Sequence, residues 1–225
     1  MKNSVPQNVF PIIRCLSRPV TQILRHWPIS PNFVTTLSLF AGLGASFLLA
    51  SPWILGRPIP FVAIAASILL VICYILDNCD GEIARIKNQC TTFGLYYDSF
   101  VDWIVHASFF VCLGLGAAAT NGEISWSVLG WVAGFGATVN YVVGIILDSF
   151  DAESVVAREG GDHQPKTNID WAIYIFRELS RADFCFIVLL LSLANLLWVL
   201  LPLGAVGSQV YWITQFNSVS RRFHV

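Results

Sequence analysis

The sequence predicts an all-α integral membrane protein, six transmembrane helices preceded by an N-terminal amphipathic interfacial helix. Three observations predict it. The 225 residues are 56% hydrophobic and only 12% charged, with a mean hydropathy of +0.66. A soluble domain carries about a quarter charged residues. Apolar runs long enough to cross a bilayer recur between short polar breaks. Within one stretch of 26 residues this apolar chain carries four aspartates, Asp77, Asp80, Asp98 and Asp102. Carboxylates are expensive in such surroundings, so they point to function rather than packing.

Residues 1–30 form the amphipathic juxtamembrane segment. Phe10, Ile12, Ile13, Leu16, Val20, Ile23, Leu24 and Trp27 recur at three-to-four spacing, with Arg14, Arg18 and Arg25 between them. That pattern suits a helix lying in the interface, interrupted or kinked at Pro19. The same arginines occupy the place of a signal peptide's apolar core, so no cleavable leader is expected. An ordinary docking helix without lipid contact is the alternative.

The six-helix domain is expected over residues 31–220. Ser30 and Pro31 read as N-cap and first helical residue of a span over about 32–51. A turn follows at Ser51–Pro60, marked by Pro52, Gly56, Pro58 and Pro60. The second span, about 61–86, ends in the first acid pair, and the third, about 93–119, begins with the second pair. The fourth, about 126–147, holds Gly130, Gly134, Gly136 and Gly144, which suggest tight packing or a dimer seam. A polar loop follows, marked by Gly160, Gly161 and Pro165, before spans at about 171–198 and 201–217. Cys15, Cys73, Cys79, Cys90, Cys112 and Cys185 contain no C-x-x-C pair and read as reduced packing residues.

The acid spacing carries the chemistry. Asp77 and Asp80 are i and i+3, with Ala84 on the same face; Gly94, Asp98 and Asp102 run i, i+4, i+8 along the next helix. The polar break at Lys87–Thr92 is short, so the two helices are expected to be antiparallel neighbours, approaching closely through Ala84 and Gly94. Four facing carboxylates repel. A hard divalent cation relieves the repulsion, and all-oxygen ligation suits Mg2+ or Mn2+, with room for two ions. Gly81 leaves space for a ligand against the backbone, and Arg85 suits phosphate. The competing reading pairs the acids with Arg85 and Lys87, but two bases do not neutralise four aspartates plus Glu82. His106, four residues after Asp102, reads chiefly as a hydrogen-bonded packing residue.

The pattern D-x2-D-G-x2-A-R-x8-G-x3-D-x3-D, made by Asp77, Asp80, Gly81, Ala84, Arg85, Gly94, Asp98 and Asp102, resembles the signature of the CDP-alcohol phosphatidyltransferases. The resemblance implies a small six-span enzyme in which a polar alcohol's hydroxyl attacks a phosphate of a CDP-linked donor and CMP leaves. It implies Asp77, Asp80 and Asp98 as principal metal ligands, with Asp102 completing the site and acting as catalytic base. It also implies donor contacts at Asn32, Thr35 and Thr91, beside Gly81, Ala84 and Arg85.

Arg177 and Arg181, with Lys166 upstream, are expected either to bind a phosphate on the acceptor or to anchor the fifth span to headgroups. The stretch Arg177–Phe184, R-x-x-x-R-A-D-F, together with Leu16–Pro19, resembles the branch that joins inositol phosphate to CDP-inositol. Phospholipid synthesis from CDP-diacylglycerol is the first expectation and that branch the second. A cation transporter built on the aspartates is the alternative from another class.

Only Arg57 of the 13 basic residues falls on the side opposite both termini. The positive-inside rule therefore puts the termini and the aspartates on the cytoplasmic face. The expected partners are the donor, the alcohol, the bilayer and a second copy of the chain; no nucleic acid is expected.

Overall fold

The structure, a computed structural model, describes residues 12–57, 59–150 and 183–223. Every regular element among them is helical: α1 (Ile12–Leu24), α2 (Pro31–Leu55), α3 (Val62–Ile86), α4 (Thr92–Asn121), α5 (Ser125–Phe150), α6 (Phe184–Leu193), a 3-10 turn (Leu197–Val199) and α7 (Leu200–Phe223). Among the described residues α2, α3, α4 and α5 are long and apolar enough to cross a membrane. Where the fifth and sixth spans are expected, the described residues carry shorter apolar helices, Phe184–Leu193 and Leu197–Ile213. Residues 171–182 of the expected fifth span lie outside the described residues.

Local chemistry sets the boundaries. Ser30 caps α2 as expected: its hydroxyl accepts from the Phe33 N–H at 3.3 Å, and Pro31 follows at the first helical position. Thr91 caps α4 in the same way, accepting from the Gly94 N–H at 3.0 Å. Between α3 and α4 the chain turns through Asn88, at φ +54°, a left-handed conformation that asparagine tolerates.

Two prolines do not break their helices. α2 runs past the expected turn at Ser51 to Leu55, with Pro52 inside it. Pro52 has no N–H for the Leu48 carbonyl four residues back. The Ser51 hydroxyl donates to that carbonyl instead, at 2.6 Å. α1 likewise continues through Pro19. Its buried face is Ile13, Ser17 and Thr21, while Ile12, Leu16 and Ile23 are exposed, as is Trp27 just beyond its end. Ile13, Ser17 and Thr21 thus dock α1 on the protein, with Val20 and Leu24 half-buried against Cys79 and Ile83, and leave Ile12, Leu16 and Ile23 outward.

α2 is the central helix. It packs along both α3 and α4, whereas α3 and α4 make little direct backbone contact. The expectation that α3 and α4 approach closely through Ala84 and Gly94 is therefore corrected. Gly42 shows why α2 fits between them: a Cβ there would stand 2.5 Å from Val105 of α4 and 3.1 Å from Cys73 of α3. Gly94 faces α2, since its Cβ would lie 3.3 Å from Asn32 Oδ1.

The core joins Ala45 and Leu49 of α2, Leu70 and Cys73 of α3, Val101, Val105 and Phe109 of α4, and Cys185 and Val188 of α6. Farther out, α5 packs on α4 and α7 on α5, while α1 and α6 pack on α3. α4 and α5 cross with backbones touching, because a Cβ on Gly114 or Gly130 would lie 2.9 Å from the other's Cα. With lipid outside, such close packing takes over the role that apolar burial plays in water. Of the other α5 glycines, Gly134 faces Val111 and Gly136 faces Ser208 and Gln209, whereas nothing lies within 4 Å of a Cβ on Gly144.

Candidate active site

The acids gather where the start of α2, the end of α3 and the start of α4 meet. Asp77, Asp80 and Asp98 each offer a carboxylate oxygen, and these lie within 4.8 Å of one another. Asp80 is buried, and Thr35 of α2 donates its hydroxyl to Asp80 Oδ2 at 2.5 Å. The same hydroxyl lies 3.2 Å from the Pro31 carbonyl. Thr36, next along α2, shares a 2.9 Å hydrogen bond with the Tyr97 hydroxyl beside Asp98. α2 therefore bonds to both neighbouring helices at the site, to Asp80 of α3 and to Tyr97 of α4.

Asp98 Oδ1 is buried and accepts no hydrogen bond. An orphaned carboxylate oxygen at such a site is costly to the fold unless something else binds it. Three anionic oxygens within 4.8 Å, one without a hydrogen-bond donor, form the donor set that a hard divalent cation takes. The residues fit Mg2+ or Mn2+. Asp102 lies one turn along α4 from Asp98 and is exposed, outside the tight group of three.

The basic residues near the acids are engaged elsewhere or open. Lys87 Nζ donates to the backbone carbonyls of Trp27 and Ile29 at 2.8 and 2.9 Å, fastening the α1–α2 connection to the end of α3. It is no counter-ion for the cluster. Glu82 also leaves it: Thr21 of α1 donates to Glu82 Oε2 at 2.6 Å. Arg85 is exposed, and a Cβ on Gly81 would meet only its guanidinium, at 3.5 Å. Gly81 and Arg85 thus leave room beside the acids with a cation at its edge. Ala84 is half-buried on the same helix.

The remaining expected contacts divide. Asn32 is half-buried with its side-chain oxygen near Gly94. Thr35 serves Asp80, and Thr91 serves as cap. Lys166, Arg177 and Arg181 lie outside the described residues. Sequence reasoning missed Thr21, Thr36 and Tyr97, whose hydroxyls become meaningful only once α1 and α2 are known to flank the acids. It also gave Asp183 no role of its own. This fully buried carboxylate accepts from the Ile12 and Ile13 N–H groups, each at 2.9 Å, and so caps α1 from the start of α6. The hydrogen-bonded role expected of His106 is borne out by bonds to Asp102 O and Tyr74.

Comparison with known proteins decides the family. The CDP-alcohol phosphatidyltransferase family pattern matches residues 28–219, most of the chain. The chain belongs to this family. Three relatives among known proteins are similar to it over part of their length. It is 33% identical over 124 residues to an uncharacterized protein of Aquifex aeolicus, covering 54% of this chain and 58% of that one. It is 31% identical over 124 residues to a bifunctional IPC transferase and DIPP synthase of the same organism, covering 54% of this chain and 26% of the relative. It is 34% identical over 74 residues to a CDP-diacylglycerol–serine O-phosphatidyltransferase of Helicobacter pylori, covering 33% and 27%. The matched stretches therefore span little more than half of the first relative and about a quarter of the other two.

Proposed function

We propose that this chain transfers a substituted phosphate, phosphatidyl from CDP-diacylglycerol, to the hydroxyl of a polar alcohol or polyol phosphate and releases CMP. The observation that carries the proposal is the cluster of Asp77, Asp80 and Asp98, with its orphaned oxygen, in a chain of this family.

Asp77, Asp80 and Asp98 would hold the metal, and Asp102 would complete a site for two ions. Bound there, Mg2+ or Mn2+ supplies charge neutralisation to the donor diphosphate and to the departing CMP. The chain's own residues do the rest. Arg85 pairs with a donor phosphate, and the space at Gly81 and Ala84 admits the diphosphate against α3. Asn32 and Thr91, at the starts of α2 and α4, border the same space. Thr35 keeps the Asp80 carboxylate in one orientation. The acceptor oxygen bonds to the donor phosphorus while the bond from that phosphorus to CMP breaks. CMP leaves with the electron pair, and the hydroxyl proton passes to Asp102. Lys166, Arg177 and Arg181 would take a phosphate on the acceptor. The acids and both termini face the cytoplasm, α1 lies in the interface with Ile12, Leu16, Ile23 and Trp27 toward lipid, and two copies associate.

A second reading is favoured by one observation: the relative named a DIPP synthase matches over 124 residues. In that reading the donor is CDP-inositol and the acceptor inositol phosphate, giving a soluble phosphodiester.

One assay separates them. Purified protein in lipid is incubated with Mn2+ and either CDP-diacylglycerol or CDP-inositol, and CMP release is followed with inositol phosphate, glycerol phosphate, inositol, serine or no acceptor. Release with CDP-diacylglycerol and one acceptor, lost in Asp102→Asn, supports the first reading. Release with CDP-inositol alone supports the second. No release with either donor, and no binding of CMP, overturns both.

A further inference from the structure

Tyr74 and His106 lie outside the acid motif but beside it. Tyr74 stands three residues before Asp77 on α3, and His106 four residues after Asp102 on α4. The Tyr74 hydroxyl and His106 Nε2 are 2.9 Å apart. His106 Nδ1 lies 2.7 Å from the backbone carbonyl of Asp102. A carbonyl only accepts, so Nδ1 carries the hydrogen; Nε2 of the neutral ring then accepts from the Tyr74 hydroxyl. Tyr74 is buried, and Phe184 of α6 packs against the imidazole with ring centroids 6.2 Å apart. Both side chains are therefore fixed by their surroundings.

The pair matters because of how the helices are arranged. α3 and α4 touch little directly, each leaning on α2. Yet the carboxylates they carry come within 4.8 Å, and these repel when no cation lies among them. The bond from Tyr74 to His106 crosses directly from α3 to α4, about one helical turn of ~5 Å from Asp77 and Asp102. A tie at that depth resists the separation that repulsion favours.

We propose that Tyr74 and His106 are positioning residues for the metal: their hydrogen bond sets the spacing between α3 and α4, so that Asp77, Asp80 and Asp98 stand at cation-binding separation before the cation arrives. This rests on the reading of the aspartates as a metal site. Neither residue touches substrate or metal. Both act through the helices that carry the ligands, as outer partners of metal ligands commonly do.

The test measures metal binding apart from turnover. Wild type, Tyr74→Phe, His106→Asn, His106→Gln, the double variant Tyr74→Phe/His106→Asn and Asp98→Asn are purified in lipid nanodiscs. Free Mn2+ is followed by electron paramagnetic resonance during titration, and thermal unfolding is recorded in EDTA. Asparagine keeps a donor for the Asp102 carbonyl but is too short to reach Tyr74; glutamine reaches it. Tyr74→Phe and His106→Asn are expected to weaken Mn2+ binding roughly tenfold, with unfolding temperatures in EDTA close to wild type. His106→Gln is expected to restore most of the affinity. The double variant is expected to be no weaker than either single one, because both remove the same bond. Unchanged Mn2+ affinity in both Tyr74→Phe and His106→Asn would overturn the inference, as would losses that add in the double variant. If instead wild type binds no Mn2+, or Asp98→Asn binds it equally well, the metal site itself is refuted and the inference falls with it.

Discussion

Thr35 donates its hydroxyl to Asp80 at 2.5 Å, a buried bond between residues 45 apart in sequence. It ties the acid pair of α3 to the helix that also contacts α4. Thr35→Val keeps the shape and removes the donor, leaving a buried carboxylate oxygen unpaired. Mn2+-dependent CMP release is expected to fall roughly ten- to a hundredfold. Thr35→Ser is expected to retain most of it. An active Thr35→Val with an unchanged Mn2+ requirement would show the bond to be dispensable.

Asp98 contributes the buried oxygen with no hydrogen bond. Asp98→Asn replaces one carboxylate oxygen by an amide that cannot ligate through nitrogen. If that oxygen belongs to the metal, activity should drop by roughly a thousandfold, the several kcal/mol of charge stabilisation a metal supplies. Unfolding in EDTA should be no less stable than wild type, since the substitution removes a repelling charge. Turnover near wild type in Asp98→Asn would remove Asp98 from the site.

Gly81 separates ligand space from packing space. A Cβ there meets only the exposed Arg85 guanidinium, at 3.5 Å. Gly81→Ala is expected to leave thermal stability unchanged or raised by up to about 1 kcal/mol through helix propensity. It is expected to raise the KM for the CDP-linked donor severalfold. An unchanged KM would place the donor elsewhere.

How much of this was legible in the sequence depended on whether a residue's partner lay in the same stretch. Asp77, Asp80 and Asp98 could be grouped from their spacing and the short break between two apolar runs. Ser30 could be read as a cap because its partner is three residues away. What lay across helices was hidden. Adjacency in sequence made α3 and α4 look like packing partners, whereas α2 fits between them because Gly42 removes the side chain that would strike Val105. Pro52 is the exception: it looked like a helix breaker although its compensation is local, the Ser51 hydroxyl taking over the orphaned Leu48 carbonyl. Arginines placed among apolar residues suggested an amphipathic helix lying in the interface, and said nothing of which residues would meet the protein. The face that docks is Ile13, Ser17 and Thr21, with hydrogen bonds to Cys79 and Glu82 of α3.

Gly130 and Gly144 make opposite predictions on one helix. A Cβ on Gly130 would stand 2.6 Å from the Phe110 carbonyl oxygen, whereas one on Gly144 meets nothing within 4 Å. Gly130→Ala is expected to destabilise the protein by about 1–3 kcal/mol as α4 and α5 are forced apart. Gly144→Ala is expected to be neutral or mildly stabilising in the monomer. Thermal unfolding in detergent compares them. If Gly144→Ala instead abolishes association of two copies, measured by light scattering, the dimer seam runs through that position.

Asp183 receives the N-terminus of α1 from a distance of 171 residues. During synthesis α1 emerges well before α6, and its cap does not exist until the chain has been extended to the start of α6. At 5–20 residues per second the interval is roughly 10 to 30 seconds. Over that time Ile12 and Ile13 lack the Asp183 acceptor, so α1 locks only after α2 to α5 have been made. A stalled chain ending at Phe150 should accordingly be cut by trypsin after Arg14 faster than the full-length chain; equal cutting would mean that contacts with α3 alone secure it. Extension of the chain as far as Asp183 is, on this account, what closes the protein around α1.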